Sequence, residues 1–313
     1  MAVSIYHAGV YKNYTSAVDV GPSSPADQKY PIWHRFPLSI SARTRSYQSK
    51  LGQLRLSSVK KIPSKVFACL NQETSVLKAR SINEVYDALA ERLLSVAAMI
   101  SEPQAKYIVG LAGPPGAGKS TLAAEVVNRV NKRWEIKAST APGTDSEVEP
   151  PTVATVLPMD GFHLYRCQLD KMEDPEEAHA RRGAPWTFDP ERFLGCLKTL
   201  RSQGSVCAPS FDHGVGDPVE DNIFISLQHK VVIVEGNYVL MDDGAWKEIC
   251  SFFDEKWFIE VDLDIAMQRV QRRHVMTAPD VAKWRIEYND RPNAELITKS
   301  KKNADVVIKS VDK

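Results

Sequence analysis

Eight consecutive residues carry the strongest chemical signal in the chain: Gly113-Pro114-Pro115-Gly116-Ala117-Gly118-Lys119-Ser120, a complete G-x-x-x-x-G-K-[ST] pattern. Glycines at these spacings let successive backbone N–H groups turn inward around an anion. A helix starting near Lys119 adds its positive dipole end to the same pocket. In such a loop the lysine reaches the β- and γ-phosphates of a nucleotide and the serine hydroxyl ligates Mg²⁺, which assigns Lys119 and Ser120. Thr121 follows directly and joins residues 113–120 as a cofactor contact. With glycine at ~7% of residues, chance yields such a match in roughly one chain in a hundred. The strand before it and the helix after it, which the motif needs, are both readable here.

A phosphate cradle specifies a nucleotide, not a reaction. The run Val153–Leu157 leads into Pro158-Met159-Asp160-Gly161-Phe162-His163, so Asp160 falls at the carboxyl end of a strand, where open α/β sheets bind ligands. Val231–Val234 leads into Glu235-Gly236-Asn237-Tyr238 and places a second carboxylate at an equivalent edge. Two carboxylates facing a phosphate cradle suit one Mg²⁺ ligand and one base for an acceptor hydroxyl. The plainer alternative is that each caps a strand end or pairs with a neighbouring base.

The elements that must position these residues alternate. Ser81-Ile82-Asn83-Glu84 fits a capping box, and Ile82, Val85, Leu89, Leu93, Val96 and Ile100 recur at helical spacing, predicting a helix over 82–101. Tyr107 to Ala112 reads as a buried strand, followed by the glycine-rich turn and a helix from Lys119 to about Lys132. Residues 139–151 read as a loop. A helix follows within 188–203, with Phe193, Leu194, Leu197 and Leu200 on its buried face. Val231–Val234, Trp257–Val261 and Val306–Ile308 complete a set of five strands, and a helix covers about 265–273. Uniformly apolar strands alternating with helices predict a parallel sheet covered on both faces.

Composition narrows the class. The chain has 313 residues, 43% apolar and 25% charged, with a net charge of +1. No apolar run approaches the ~18 residues of a membrane span. Five cysteines, none in a CxxC pair, argue against a disulfide scaffold or a zinc ribbon. His163 and His213 have no partners at zinc spacing, so no metal besides Mg²⁺ is expected. Residues 1–71 carry ten Lys/Arg against two acids and hold eleven serines, leaving the remainder acidic. A basic, serine-rich, acid-poor start is the composition of an organelle transit peptide. The run Val66-Phe67-Ala68-Cys69 suits plastid processing near Ala68 or Cys69; a mitochondrial presequence and a retained basic tail are the alternatives, the last leaving the protein in the cytoplasm. An acidic body argues against nucleic acid as the main partner.

From residue 104 to 310 the sequence resembles the group of small-molecule kinases that comprises uridine kinase, phosphoribulokinase and bacterial pantothenate kinase. The residues that carry the resemblance are 113–120, Met159-Asp160-Gly161-Phe162-His163 and Val232-Ile233-Val234-Glu235-Gly236-Asn237-Tyr238. The tract Arg182-Gly183-Ala184-Pro185-Trp186-Thr187-Phe188-Asp189-Pro190 and the later Arg291-Pro292-Asn293-Ala294 resemble a branch with bacterial sugar or nucleoside kinases and a fungal ATP-dependent kinase. The resemblance implies a three-layer α/β fold with a five-stranded parallel sheet and a helical lid over residues 75–313; the composition puts a transit or disordered segment at 1–70 ahead of it. It implies Asp160 as the base toward the acceptor, and Ser120 and Glu235 as the metal-site groups, with Asp160 also near the metal. In these kinases arginines after the fourth strand close over the phosphates. Here the stretch is Asp262 to His274: Arg269 and Arg273 share a helix face, and Arg272 and Arg273 lie nearer the expected lid tip at Thr277-Ala278-Pro279. A solvated basic helix is the alternative. For the acceptor the resemblance points to Trp186, Asp189, Asp212 and His213. Phe211-Asp212-His213 is similar to a uridine-kinase stretch, whereas Asp160-Gly161-Phe162 is closer to pantothenate kinases.

The expected function is transfer of the γ-phosphoryl of Mg·ATP to a hydroxyl of a small metabolite of nucleoside, pantothenate or sugar type. The partner is that metabolite, with no nucleic acid and no membrane, and association as a homodimer is left open. The alternative is an ATP-hydrolysing switch acting on a protein partner.

Overall fold

Tyr107–Ala112 and Val231–Glu235 are buried along their whole length. Strands buried on both faces belong in the middle of a covered parallel sheet. The computed structural model, which describes residues 74–77, 79–139, 152–277 and 281–310, places them there. These residues belong to one compact unit, Ser57–Lys313; a second, Met1–Leu56, lies outside the described residues.

In chain order the elements are β1 (Ser75–Leu77), α1 (Ile82–Met99), β2 (Tyr107–Ala112), α2 (Lys119–Ser139), β3 (Ala154–Pro158), α3 (Arg166–Leu169), α4 (Pro175–Ala180), α5 (Pro190–Gln203), β4 (Val206–Asp212), β5 (Asp217–Ile225), β6 (Val231–Glu235), α6 (Gly244–Ser251), β7 (Glu255–Glu260), α7 (Leu263–Thr277), α8 (Ala282–Arg285), α9 (Arg291–Lys299) and β8 (Val306–Lys309). Short 3₁₀ turns sit at Met159–Phe162, Pro185–Thr187 and Ser300–Asn303, and a π-helical turn spans Ile286–Asp290.

The main sheet runs β1-β8-β7-β2-β6-β3, every pairing parallel. It has six strands where the sequence predicts five. The extra one, β1, is three residues long, largely exposed and paired only at the edge, so it carries no hydrophobic period. A separate antiparallel hairpin, β4–β5, was also not anticipated. It contains Pro209 and shifts register between Ala208 and Ser210, and both features break strand alternation.

Alternation along β2 divides the core. Tyr107, Val109 and Leu111 join Val85, Leu89 and Leu93 of α1 and Leu122, Val126 and Val130 of α2. Ile108 and Ala112 join Leu194, Leu197 and Leu200 of α5 and Trp246 and Ile249 of α6. Helix, sheet and helix thus form three layers. A third, much smaller cluster, Ala266, Met267, Val270, Ile286 and Ala294, holds the α7–α9 segment together. Ser81 caps α1 by accepting from Glu84 N at 3.3 Å, but the Glu84 carboxylate accepts from Arg80 N at 2.9 Å and not from Ser81 N, so only half of the predicted capping box forms. Helix α2 extends past the expected Lys132 to Ser139. Residues 1–70, the loop at 140–151 and Ala278 and Pro279 of the expected lid tip lie outside the described residues.

Candidate active site

Register brings the chemistry to one edge. Leu111 of β2 and Pro158 of β3 both pair with Glu235 of β6. Gly113 lies two residues beyond the first and Asp160 two beyond the second. Three adjacent strands therefore end level, and their carboxyl ends deliver the glycine-rich loop, Glu235 and Asp160 side by side.

The loop has the geometry its sequence demands. Gly116 and Gly118 adopt φ of +80° and +89°, conformations that side chains rarely tolerate. At Gly116 a Cβ would also lie 2.4 Å from the Ala266 carbonyl oxygen. A Cβ at Gly118 would meet nothing within 4 Å, so there it is the positive φ and not crowding that calls for glycine. Lys119 Nζ donates to Gly113 O at 2.9 Å, Pro114 O at 3.3 Å and Asn237 Oδ1 at 2.7 Å. Ser120 Oγ donates to Glu235 Oε1 at 2.8 Å. Glu235 is only 7% exposed. Burial raises its pKa, and the Lys119 charge opposes that rise. Burial lowers the pKa of Lys119, while the Glu235 and Asp160 carboxylates favour its charge and Arg273 opposes it. Lys119, Glu235, Asp160 and Arg273 thus share one electrostatic neighbourhood. Among the described residues no side chain donates a hydrogen bond to the Asp160 carboxylate.

These donors fit Mg²⁺. The ion keeps several waters and takes one or two carboxylates plus phosphate oxygens, which Ser120 and Glu235 suit. Among the described residues no group of three or more His, Cys, Asp or Glu is placed to hold a metal by itself.

At the start of α2, a cavity of about 550 Å³ opens between Thr121, Gln268, Arg272, Ile308 and Ser310. It adjoins Gly118 and Arg269. The sequence showed no signal for it, because its lining comes from α1, α2, α7 and the end of β8. The three lid arginines separate. Arg269 Nη1 donates to Gly116 O at 3.3 Å, Arg272 lines the cavity, and Arg273 acts on Lys119.

Beyond Asp160 the wall turns aromatic. His163 packs on Phe188 and Phe211 with centroids 3.9 and 4.6 Å apart. Its Nδ1 lies 2.8 Å from the Asp160 carbonyl oxygen, which can only accept, so Nδ1 carries the proton. Burial lowers the pKa of His163, with Asp160 opposing and Arg182 and His213 adding to the fall. Tyr238 OH donates to Gly183 O at 2.5 Å.

The four acceptor residues read from the sequence do not converge equally. Trp186 is 47% exposed. Asp189 caps α5, accepting from Arg192 N at 2.9 Å. Asp212 Oδ1 holds the hairpin turn by accepting from Gly214 N at 2.7 Å and Val215 N at 3.1 Å. His213 is exposed and sits edge-on to Phe211 at 5.2 Å. Asn237, Tyr238 and Arg182 stood in the tracts that carry the resemblance but were given no role from the sequence, and Gln268 and Arg181 were not singled out at all. For Arg181 and Arg182, their adjacency as an arginine doublet before Gly183 was the available signal.

Fold and site together define a nucleotide-dependent kinase of small molecules, a phosphotransferase with an alcohol group as acceptor. Residues 108–313 match the model of the Phosphoribulokinase / Uridine kinase family, and the chain belongs to that family. A Schizosaccharomyces pombe protein provisionally named uridine kinase C227.14 is 33% identical over 237 residues, spanning 74% of this chain and 91% of the relative. A Silicibacter protein provisionally named a fructose transport system kinase superposes with a TM-score of 0.56 at 30% identity, covering 70% of this chain and 98% of that one. YFH7 of Saccharomyces cerevisiae superposes with a TM-score of 0.61, covering 74% of this chain and 100% of that one; at 22% identity it speaks for the fold alone. Among the described residues no helix is long and apolar enough to cross a membrane.

Proposed function

We propose that this kinase transfers the γ-phosphoryl of Mg·ATP to a hydroxyl of a small polar metabolite, with Asp160 as the base. The observation that carries this reading is the placement of Asp160. Its carboxylate stands at a strand end beside the phosphate cradle, in the field of Lys119 and Glu235, with no side-chain donor among the described residues occupying it.

Phosphoryl transfer asks a protein for positioning and charge neutralisation more than for covalent chemistry. The amides of residues 113–118 and the Lys119 ammonium would hold the phosphates. Ser120 and Glu235 would hold Mg²⁺, with Asp160 close by; the ion, when bound, supplies charge neutralisation on the phosphate oxygens. Asp160 would accept the hydroxyl proton as the oxygen attacks. Arg269 and Arg273, one helical turn apart, and Arg272 suit the charge spread over the loosened phosphoryl group. The cavity beside Gly118 would take the nucleotide base. Trp186, Asp189, Asp212 and His213 remain candidates for the acceptor, Asp189 and Asp212 through the turns they stabilise.

The test is incubation of the protein and Mg·ATP with nucleosides, pantothenate, glycerate and sugars. A phosphorylated product is expected with at least one. Acceptor-independent hydrolysis that rises with a protein partner would favour the switch reading instead. For the N-terminal segment we propose plastid targeting; residues 1–74 fused to a fluorescent protein should enter plastids, and a mitochondrial or cytosolic signal would overturn that.

A further inference from the structure

We propose that the acceptor is a hydroxy compound carrying an anionic group, a carboxylate or a phosphate, and that Arg181 and Arg182 bind that group. The proposal rests on the kinase reading and names its substrate class.

Arg182 reaches the base through direct contacts. Its guanidinium lies 5.7 Å over the Phe211 ring. Phe211 packs on His163 at 4.6 Å, and His163 bonds to the Asp160 carbonyl at 2.8 Å. The next residue, Gly183, accepts from Tyr238 OH, and the Tyr238 hydroxyl lies in the combined field of Arg181 and Asp160. Arg182 is thus linked to the base by packing, and Arg181 and the base act on the same tyrosine hydroxyl.

The pair is under-supplied with counter-charge. Arg182 is 13% exposed, and its Nη2 donates to Leu164 O at 2.8 Å and Asp217 Oδ1 at 3.1 Å. That carboxylate oxygen also accepts from Arg166 N at 2.8 Å. Among the described residues no carboxylate comes within ion-pair distance of Arg181, whose guanidinium rests 5.5 Å from the Tyr288 ring. Glu177 and Asp174 act on that same Tyr288; Glu177 Oε2 accepts from its hydroxyl at 2.5 Å. The Nε of each arginine is buried without a hydrogen-bond partner.

Buried donors are nearly always satisfied, and an orphaned one calls for an unseen partner. Two consecutive arginines concentrate like charge on one short segment, and an anion bound there offsets it. Their planar forks match a carboxylate or a phosphate with paired, charge-assisted bonds. A neutral nucleoside or polyol would bring no counter-charge to Arg181, which has no carboxylate at ion-pair distance among the described residues, so the site discriminates against it.

The experiment uses the full chain saturated with Mg·AMP-PNP, which blocks the nucleotide loop to other anions. Inorganic phosphate, glycerate, pantothenate, ribulose 5-phosphate and fructose 6-phosphate are titrated calorimetrically, with uridine and fructose as neutral probes. The same compounds are offered with Mg·ATP. At least one anion should bind saturably, and transfer should occur to an anionic hydroxy compound, the carboxylate and phosphate arms separating the two sources. Arg181→Met should weaken anion binding about 10- to 100-fold, the range for losing charge-assisted bonds, and leave AMP-PNP binding within about two-fold. Arg181→Lys, which keeps charge but not the fork, should fall between; it also guards against a Met variant that fails to fold. The proposal is overturned if no anion binds, if Arg181→Met leaves anion binding unchanged, or if uridine or fructose is phosphorylated as efficiently as the best anion. Failure of AMP-PNP itself to bind would instead sink the kinase reading, and this inference with it.

Discussion

The two halves of the site are built in opposite ways. The nucleotide half centres on one contiguous loop, and its polar groups answer one another: Lys119 has three acceptors and Ser120 has Glu235. The acceptor half is gathered from β3, the segment around Arg181 and Arg182, the hairpin and the turn after β6, and two of its guanidinium nitrogens have no partner. A half whose chemistry is common to many kinases can be written as a motif. A half that distinguishes one metabolite from another is assembled by tertiary structure, and on the proposal above Arg181 and Arg182 are its anion-binding part.

The largest effect should come from the nucleotide half. Lys119→Ala removes the ammonium at the phosphates and should lower kcat/KM for ATP by about 10³-fold or more. Equal loss in Lys119→Ala and in an acceptor-side variant such as Arg181→Met would erase the distinction between the halves. Next, Glu235→Gln weakens the metal site and should raise the Mg²⁺ concentration needed for half-maximal rate about 10- to 100-fold. A normal Mg²⁺ dependence would remove Glu235 from that site.

Packing gives a third contrast. At Gly161 a Cβ would lie 2.0 Å from the Pro209 carbonyl oxygen, where the 3₁₀ turn after β3 meets the hairpin. Gly161→Ala should cost about 1–3 kcal/mol, read as a lower unfolding midpoint, and should lower acceptor turnover more than AMP-PNP affinity. At Gly195, exposed within α5, a Cβ meets nothing within 4 Å, and Gly195→Ala should stabilise by about 1 kcal/mol.

The smallest effect is electrostatic. Burial lowers the folded pKa of His163 below its ordinary 6.5, so the unfolded chain takes up that proton first as pH falls. The stabilising contribution is present above about pH 6.5 and is lost as pH drops toward the folded value. His163→Phe should flatten this acid-side fall in unfolding midpoint relative to the native protein; an unchanged slope would mean that His163 is not held neutral.

How much was legible follows the same division. Residues 113–120, Asp160 and Glu235 were readable because strand ends and glycine spacing are local properties, and the register at Leu111, Pro158 and Glu235 then aligned them. Strand β1 was not readable, since three edge residues carry no period. The hairpin was hidden by Pro209 and by the polar run Glu220-Asp221-Asn222 on an exposed strand. Asp189 and Asp212 drew notice through the resemblance, yet the first caps a helix and the second closes a turn, roles that the same residue types fill throughout proteins. Arg181 and Arg182 acquire meaning only once Phe211, some thirty residues on, is seen beneath the second guanidinium.

The most direct measurement pairs two numbers for Asp160→Asn: the single-turnover rate of phosphoryl transfer and the Kd for Mg·AMP-PNP. With Asp160 as the base, transfer falls by about 10²- to 10⁴-fold while the Kd stays within about two-fold. A variant that transfers phosphoryl at near the native rate would contradict the assignment.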